Sequence, residues 1–119
     1  MEFFDIDKLK AKRIVIDSIS LLSLIINDQA SMRNRLLELI RSLKKRNATL
    51  LLTSERIGDN LSRLGVEEFL VDGVIVLDFT PIGPQAGRSL FIRKMRRTKH
   101  SEDIHPIEIR KRGIRVLNI

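Results

Sequence analysis

Lys12 to Ser18 reads KRIVIDS, in which Ile14, Val15 and Ile16 form an unbroken β-branched run. Such a run suits a strand covered on both faces, as in a parallel sheet. It closes on an acid. Asp17 would stand at the carboxyl end of that strand, where open α/β sheets bind ligands, or it caps the segment that follows. Downstream, Gln29 to Arg46 carries Met32, Leu36, Leu39 or Ile40, and Leu43 at helical spacing. Arg33, Arg35, Arg41, Lys44 and Lys45 fall largely off that stripe and read as a solvated face and helix-end charge. TLLLTSE, Thr49 to Glu55, repeats the buried-strand pattern and again ends in polar side chains. Strand, helix and strand of this kind make a right-handed βαβ unit, and two strand ends deliver polar groups to one sheet edge. Thr53, Ser54 and Glu55 either position a water or sense a phosphate, or they cap a strand end.

Farther out, RIGDNLSRLG, Arg56 to Gly65, reads as a glycine-bounded loop, followed by Val66–Phe69, by Asp72–Gly73 and by a third apolar run, Val74–Leu77. PIGPQAG, Pro81 to Gly87, is a loop by composition and divides a neutral portion, 1–80, from a basic one, 88–119. Residues 1–87 hold 12 Lys plus Arg against 12 Asp plus Glu, and residues 88–119 hold 10 against 3. The formal charge of +7 therefore sits in the last 32 residues. Within GRSLFIRKMRRTKH, Gly87 to His100, period-two alternation puts Leu90, Ile92, Lys94 and Arg96 on one face, Lys94 and Arg96 roughly 7 Å apart. Two such cations without an acid nearby fit around an anion, a phosphate being the obvious one. Ile107, Ile109, Ile114 and Val116 alternate on either side of a turn at Arg112–Gly113, which is the pattern of a terminal antiparallel hairpin.

Length and composition bound the rest. A chain of 119 residues with 43% hydrophobic residues holds one domain or part of one. It has no cysteine, which excludes disulfides and thiolate chemistry and suits a reducing cytoplasm. The longest apolar run, Ile19 to Ile26, is far short of the roughly 20 residues that cross a bilayer, and MEFFDIDKLK lacks the character of a signal peptide. A pI near 10.4 points to nucleic acid, nucleotide or an anionic surface without choosing among them.

RIVIDSISLL, a helix, TLLLTSER, GVEEFLVDGVIVL, RSLFIRKMRRTKH and IHPIEIRKRGIRVL resemble, in order and spacing, the carboxyl-terminal half of KaiC-like ATPases of the RecA superfamily. The likeness runs from about Arg13 to the end. It implies an α/β, partial RecA-like P-loop NTPase fold with a C-terminal hairpin extension, and a single partial domain over 1–119. It also implies roles. Asp17 resembles the Walker B aspartate, reaching Mg²⁺ through water. Thr53, Ser54 and Glu55 resemble the polar motif that couples nucleotide state to the loop 56–65. Lys94 and Arg96 resemble the K-x-R finger that each subunit extends to the γ-phosphate of its neighbour's ATP, with Phe69, Thr98 and His100 as accompanying contacts to that nucleotide. His105 is left as a surface histidine.

The departures are as specific. No G-x-x-x-x-G-K-[ST] occurs, so the phosphate-cradling loop is missing from this sequence. The acidic pair that activates water in the family lies upstream of the Walker B strand, and Glu2, Asp5 and Asp7 are in the wrong context to supply it. Glu68 and Phe69 stand where clock-type relatives carry phosphorylated Ser/Thr, which speaks against an autokinase. Arg97 replaces a glycine usual after the finger arginine. The expectation is a chain that lends a Walker B Asp and a trans-acting finger to ATP and Mg²⁺ held by a homo-oligomer or a Walker A-bearing subunit, and that does not hydrolyse ATP alone. The alternatives are a basic module gripping single-stranded DNA through 56–65, Arg93, Arg97, Lys99 and Arg110, and a truncated remnant without activity.

Overall fold

The computed structural model describes residue 8, residues 10–56, residue 58, residues 67–81, residue 83 and residues 87–118, with the backbone alone at 21–23. Glu2, Asp5, Asp7, most of the loop 56–65 and much of 81–87 lie outside the described residues. The chain forms two compact units, Met1–Leu70 and Val71–Ile119. The change of charge at 81–87 thus falls inside the second unit, between two of its strands.

In the first unit β1 (Arg13–Ile16) pairs in parallel with β2 (Thr49–Leu52), Ile14 opposite Leu50 and Ile16 opposite Leu52. Between them run a 3₁₀ turn (Ile19–Leu21), the single-turn α1 (Leu22–Ile25) and α2 (Gln29–Lys44). Asp28 starts α2: its carboxylate accepts from Ser31 Oγ at 2.7 Å, Ser31 N–H at 3.1 Å and Ala30 N–H at 3.3 Å. The Ser31 hydroxyl and then these backbone donors hold the Asp28 carboxyl below its ordinary range. The buried stripe is Met32, Leu36, Ile40 and Leu43, so Ile40 rather than Leu39 faces inward. Burial of such side chains contributes about 1.5–3 kcal/mol each. Arg41 and Lys44 sit in the last turn, favourably for the helix dipole, and Asn47 leaves the helix in a left-handed conformation (φ 54°). α2 packs beside β2, while Val15 and Leu51, opposite each other in the ladder, remain exposed on the other face. The one-turn α3 (Glu67–Leu70) completes the unit beside α2.

The second unit is an antiparallel sheet ordered β3 (Gly73–Phe79), β4 (Arg88–Met95), β5 (His105–Arg110), β6 (Gly113–Val116). The hairpin expected at the end of the chain is present. Its turn is Lys111–Arg112, because Arg110 pairs with Gly113, whose φ of +123° suits glycine alone. A β-bulge interrupts the β3–β4 ladder: Ile92 lies opposite Ile75 but Lys94 lies opposite Val74, leaving Arg93 as the extra residue. This corrects the alternation read from the sequence. Lys94 leaves the Leu90–Ile92 face and joins that of Val74, Val76 and Phe91. Cross-strand pairing puts Ile75, Leu77, Phe79, Ile109, Ile114 and Val116 on the opposite face, each between 49% and 68% exposed. An apolar sheet face of this extent is what an α/β sheet covers with a further layer. At its corner the Arg88 guanidinium lies 5.0 Å from the Phe79 ring centroid, a cation–π contact.

Candidate functional site

In the first unit the polar ends of β1 and β2 are bonded to each other. The Thr53 hydroxyl donates to Asp17 Oδ1 at 2.5 Å, and the backbones close the same edge, Thr53 N–H to Ile16 C=O and Ile19 N–H to Thr53 C=O, both at 3.0 Å. Both side chains are exposed, so a hydrated cation can approach the carboxylate. The local capping role considered for Asp17 falls instead to Ser18, whose Oγ accepts from Ser20 N–H at 3.1 Å. The Asp17–Ser18 peptide is cis. The rest of the motif turns inward: Ser54 Oγ donates to Glu67 Oε1 at 3.2 Å, and Glu55 N–H donates to Ser20 Oγ at 3.3 Å.

Among the described residues, Ser20 and Glu67 are the buried polar ones of this unit, and nothing in the sequence marks either as part of the site. Their partners lie 35 and 13 residues away, a relation that periodicity cannot carry. Glu67 opens α3, on which Phe69 stands 70% exposed, so the Ser54 contact joins the strand-end motif to the helix that presents this ring.

The second unit carries the cationic tip. Lys94 closes the bulge, and Arg96 N–H donates to Asp72 C=O at 2.8 Å, so the ladder runs unbroken from Lys94 to Arg96 and keeps the two on one side. The premise that no acid lies nearby is corrected. Arg96 Nη1 is 3.5 Å from Asp72 Oδ1, with side chains 50% and 62% exposed. An ion pair so open is worth at most about 1 kcal/mol, so Asp72 orients the guanidinium without holding it against a stronger anion.

Arg97 explains the glycine position that it occupies. Its φ is +57°, the left-handed conformation that the turn after Arg96 requires. Relief of that conformation in Arg97→Gly is worth about 1–2 kcal/mol, against about 0.5–1 kcal/mol of extra backbone entropy lost by glycine. A net gain of about 0.5–1 kcal/mol is expected in chemical denaturation.

Thr98 Oγ1 donates back to Arg96 C=O at 3.3 Å, continuing the turn. His100 is half-buried and its Nδ1–H donates to Ser101 C=O at 2.8 Å, which in the neutral ring leaves Nε2 as the acceptor. His105 Nε2 is bonded to Ser101 Oγ at 2.9 Å within the β4–β5 connection, in keeping with a structural role. Asp17, Thr53, Ser54, Glu55 and Phe69 therefore belong to the first unit, and Lys94, Arg96, Thr98 and His100 to the second.

Among the described residues no cluster of three His, Cys, Asp or Glu could hold a metal ion. Asp17 fits one carboxylate of a Mg²⁺ shell that phosphates and water would complete, which is the usual manner of Mg²⁺ at nucleotides. No helix among the described residues is long and apolar enough to cross a membrane.

The family model described as "ATPase: KaiC" matches residues 5–119. The circadian clock protein KaiC2 of Synechocystis is 36% identical over 116 residues, covering 98% of this chain and 20% of the relative. The UPF0273 protein PF1931 of Pyrococcus furiosus is 39% identical over 108 residues, covering 89% of this chain and 42% of the relative. The crystal structure of the KaiC-like protein PH0186 from Pyrococcus horikoshii OT3 superimposes with a TM-score of 0.83 at 42% identity, over 95% of this chain and 50% of that one. The chain thus spans from about a fifth to half the length of these proteins. With the match running through both units and a neighbour of the KaiC-like RecA fold, the chain belongs to the KaiC family of ATPases.

Proposed function

We propose that this chain acts as the carboxyl-terminal half of one KaiC-like ATPase domain, contributing residues to ATP sites that a P-loop-bearing subunit completes. The observation that carries the reading is the bonded pair Asp17–Thr53 at the exposed carboxyl ends of two parallel strands. In this family position Asp17 would bear on the water shell of Mg²⁺, with the Thr53 hydroxyl fixing its carboxylate. Ser54 and Glu55 would pass the state of that edge inward, through Glu67 and Ser20, to α3. Lys94 and Arg96 would meet the γ-phosphate of ATP held by an adjoining subunit, where preplaced cations stabilise charge moving onto the β/γ bridge. Phe69, Thr98 and His100 would line the same nucleotide. ATP and Mg²⁺ supply the phosphoanhydride and its counter-charge when bound. This chain's own residues orient and neutralise.

The reading requires a phosphate cradle from another polypeptide or segment, because one carboxylate and an exposed cation pair do not grip a triphosphate. Titration of a fluorescent ATP analogue into the 119-residue chain is expected to give no saturable micromolar binding. Micromolar binding that disappears in Asp17→Ala, with no partner added, would contradict it.

A further inference from the structure

The β5–β6 turn carries four cations in six residues, Arg110, Lys111, Arg112 and Arg115 around Gly113 and Ile114. These six residues line an open hollow of about 400 Å³. Arg110 is ion-paired with Glu108, whereas among the described residues no carboxylate pairs with Lys111, Arg112 or Arg115. All three are exposed. Among the described residues Asp78 and Glu108 are the carboxylates at this end of the sheet, Glu108 opposite Arg115 in the ladder, which leaves an excess of positive charge.

The register separates this cluster from the finger. Leu90 lies opposite His105 and Ser89 opposite Pro106, so β5 runs away from Met95 and the turn projects beyond the start of β4. About ten strand residues, roughly 30 Å, separate Lys94 from Lys111. The phosphates of one nucleotide cannot engage both. The ligand of the turn is therefore an extended polyanion or a second, separate anion.

We propose that this hairpin turn is a sequence-independent nucleic-acid contact, with Lys111, Arg112 and Arg115 each neutralising a backbone phosphate. Duplex is the form that fits. No Phe, Tyr or Trp follows Phe91, so the turn has no ring on which unstacked bases could lie, while a duplex presents the denser row of phosphates. A two-stranded β-ribbon is also of a size that the major groove admits. An anionic membrane fits less well, since Lys111 and Arg112 are the outermost residues and the exposed Ile109 and Ile114 stand behind them, the Arg110–Gly113 pair lying between.

The test is a salt titration of the full chain against fluorescent duplex and single-stranded oligonucleotides of unrelated sequence. Three phosphate contacts predict a slope of log K against log salt near −2.7, so binding to duplex weakens about 40-fold between 50 and 200 mM salt. The variant Lys111→Ala/Arg112→Ala keeps one contact and should weaken only about 3-fold over that range. Lys111→Arg/Arg112→Lys should behave as the parent, and far-UV circular dichroism checks that each variant is folded. An unchanged salt response in the double alanine variant overturns the proposal. So does a response abolished by Lys94→Ala/Arg96→Ala, tighter binding of the single strand, or binding to anionic vesicles but to neither oligonucleotide.

Discussion

Changing Lys94 and Arg96 together to alanine is expected to lower ATP turnover by about 10³-fold or more in an assembly in which this chain adjoins a P-loop-bearing subunit. The loss should fall on kcat, because the adjoining subunit holds the nucleotide in the ground state and the cations matter most as charge shifts. The bulge at Arg93 and the Asp72 contact set the two side chains on one side of the sheet, already placed before a phosphate arrives. Arg96→Lys should retain only part of the activity, since an ammonium lacks the planar fork that engages two phosphate oxygens. Asp72→Asn should change turnover little, as expected for an open ion pair. A large effect of Asp72→Asn with a small effect of the double alanine variant would reverse the assignment. Single-turnover measurements separate the chemical step from nucleotide binding.

The second large effect is expected at Asp17. Asn is nearly isosteric and can still accept the Thr53 hydroxyl, so Asp17→Asn should leave the β1–β2 edge intact while removing its charge. Residues that act on a metal through its water shell typically affect affinity or activity by 10- to 100-fold. In the same assembly, half-maximal turnover should therefore need about 10- to 100-fold more Mg²⁺, and excess Mg²⁺ should restore part of the rate. Thr53→Val keeps the charge but frees the carboxylate, and a smaller shift is expected. An Asp17→Asn protein whose Mg²⁺ requirement is unaltered would remove this residue from the site.

Much of the fold can be read locally because its signals are local. Ile14 to Ile16 and Leu50 to Leu52 are β-branched or apolar runs that become paired parallel strands, and the Met32–Leu43 stripe becomes the buried face of α2. The alternation of Ile107, Ile109, Ile114 and Val116 becomes one face of a hairpin. What the sequence hides is relational. Nothing within RSLFIRKM marks Arg93 as an extra residue, because a bulge exists only against the opposing strand, and so plain alternation puts Lys94 on the wrong face. Asp72 precedes a turn and carries no period, yet it is the acid beside Arg96. Ser20 sits in an apolar run whose length is its only legible feature, and Glu67 is one of two adjacent acids with nothing to single it out. Each is buried against a partner distant in the chain. Arg97, in place of the usual glycine, puts the local turn in doubt from sequence alone, yet the residue adopts the left-handed conformation itself.

Trans action is most directly measured by supplying the finger from outside. A P-loop-bearing KaiC-like subunit whose own finger cations have been removed is mixed with this chain, and steady-state ATP turnover is followed as the chain is added. The account predicts that the unaltered chain restores turnover in a saturable manner and that Lys94→Ala/Arg96→Ala does not. Equal restoration by both chains, or none by either despite demonstrated association, would contradict it.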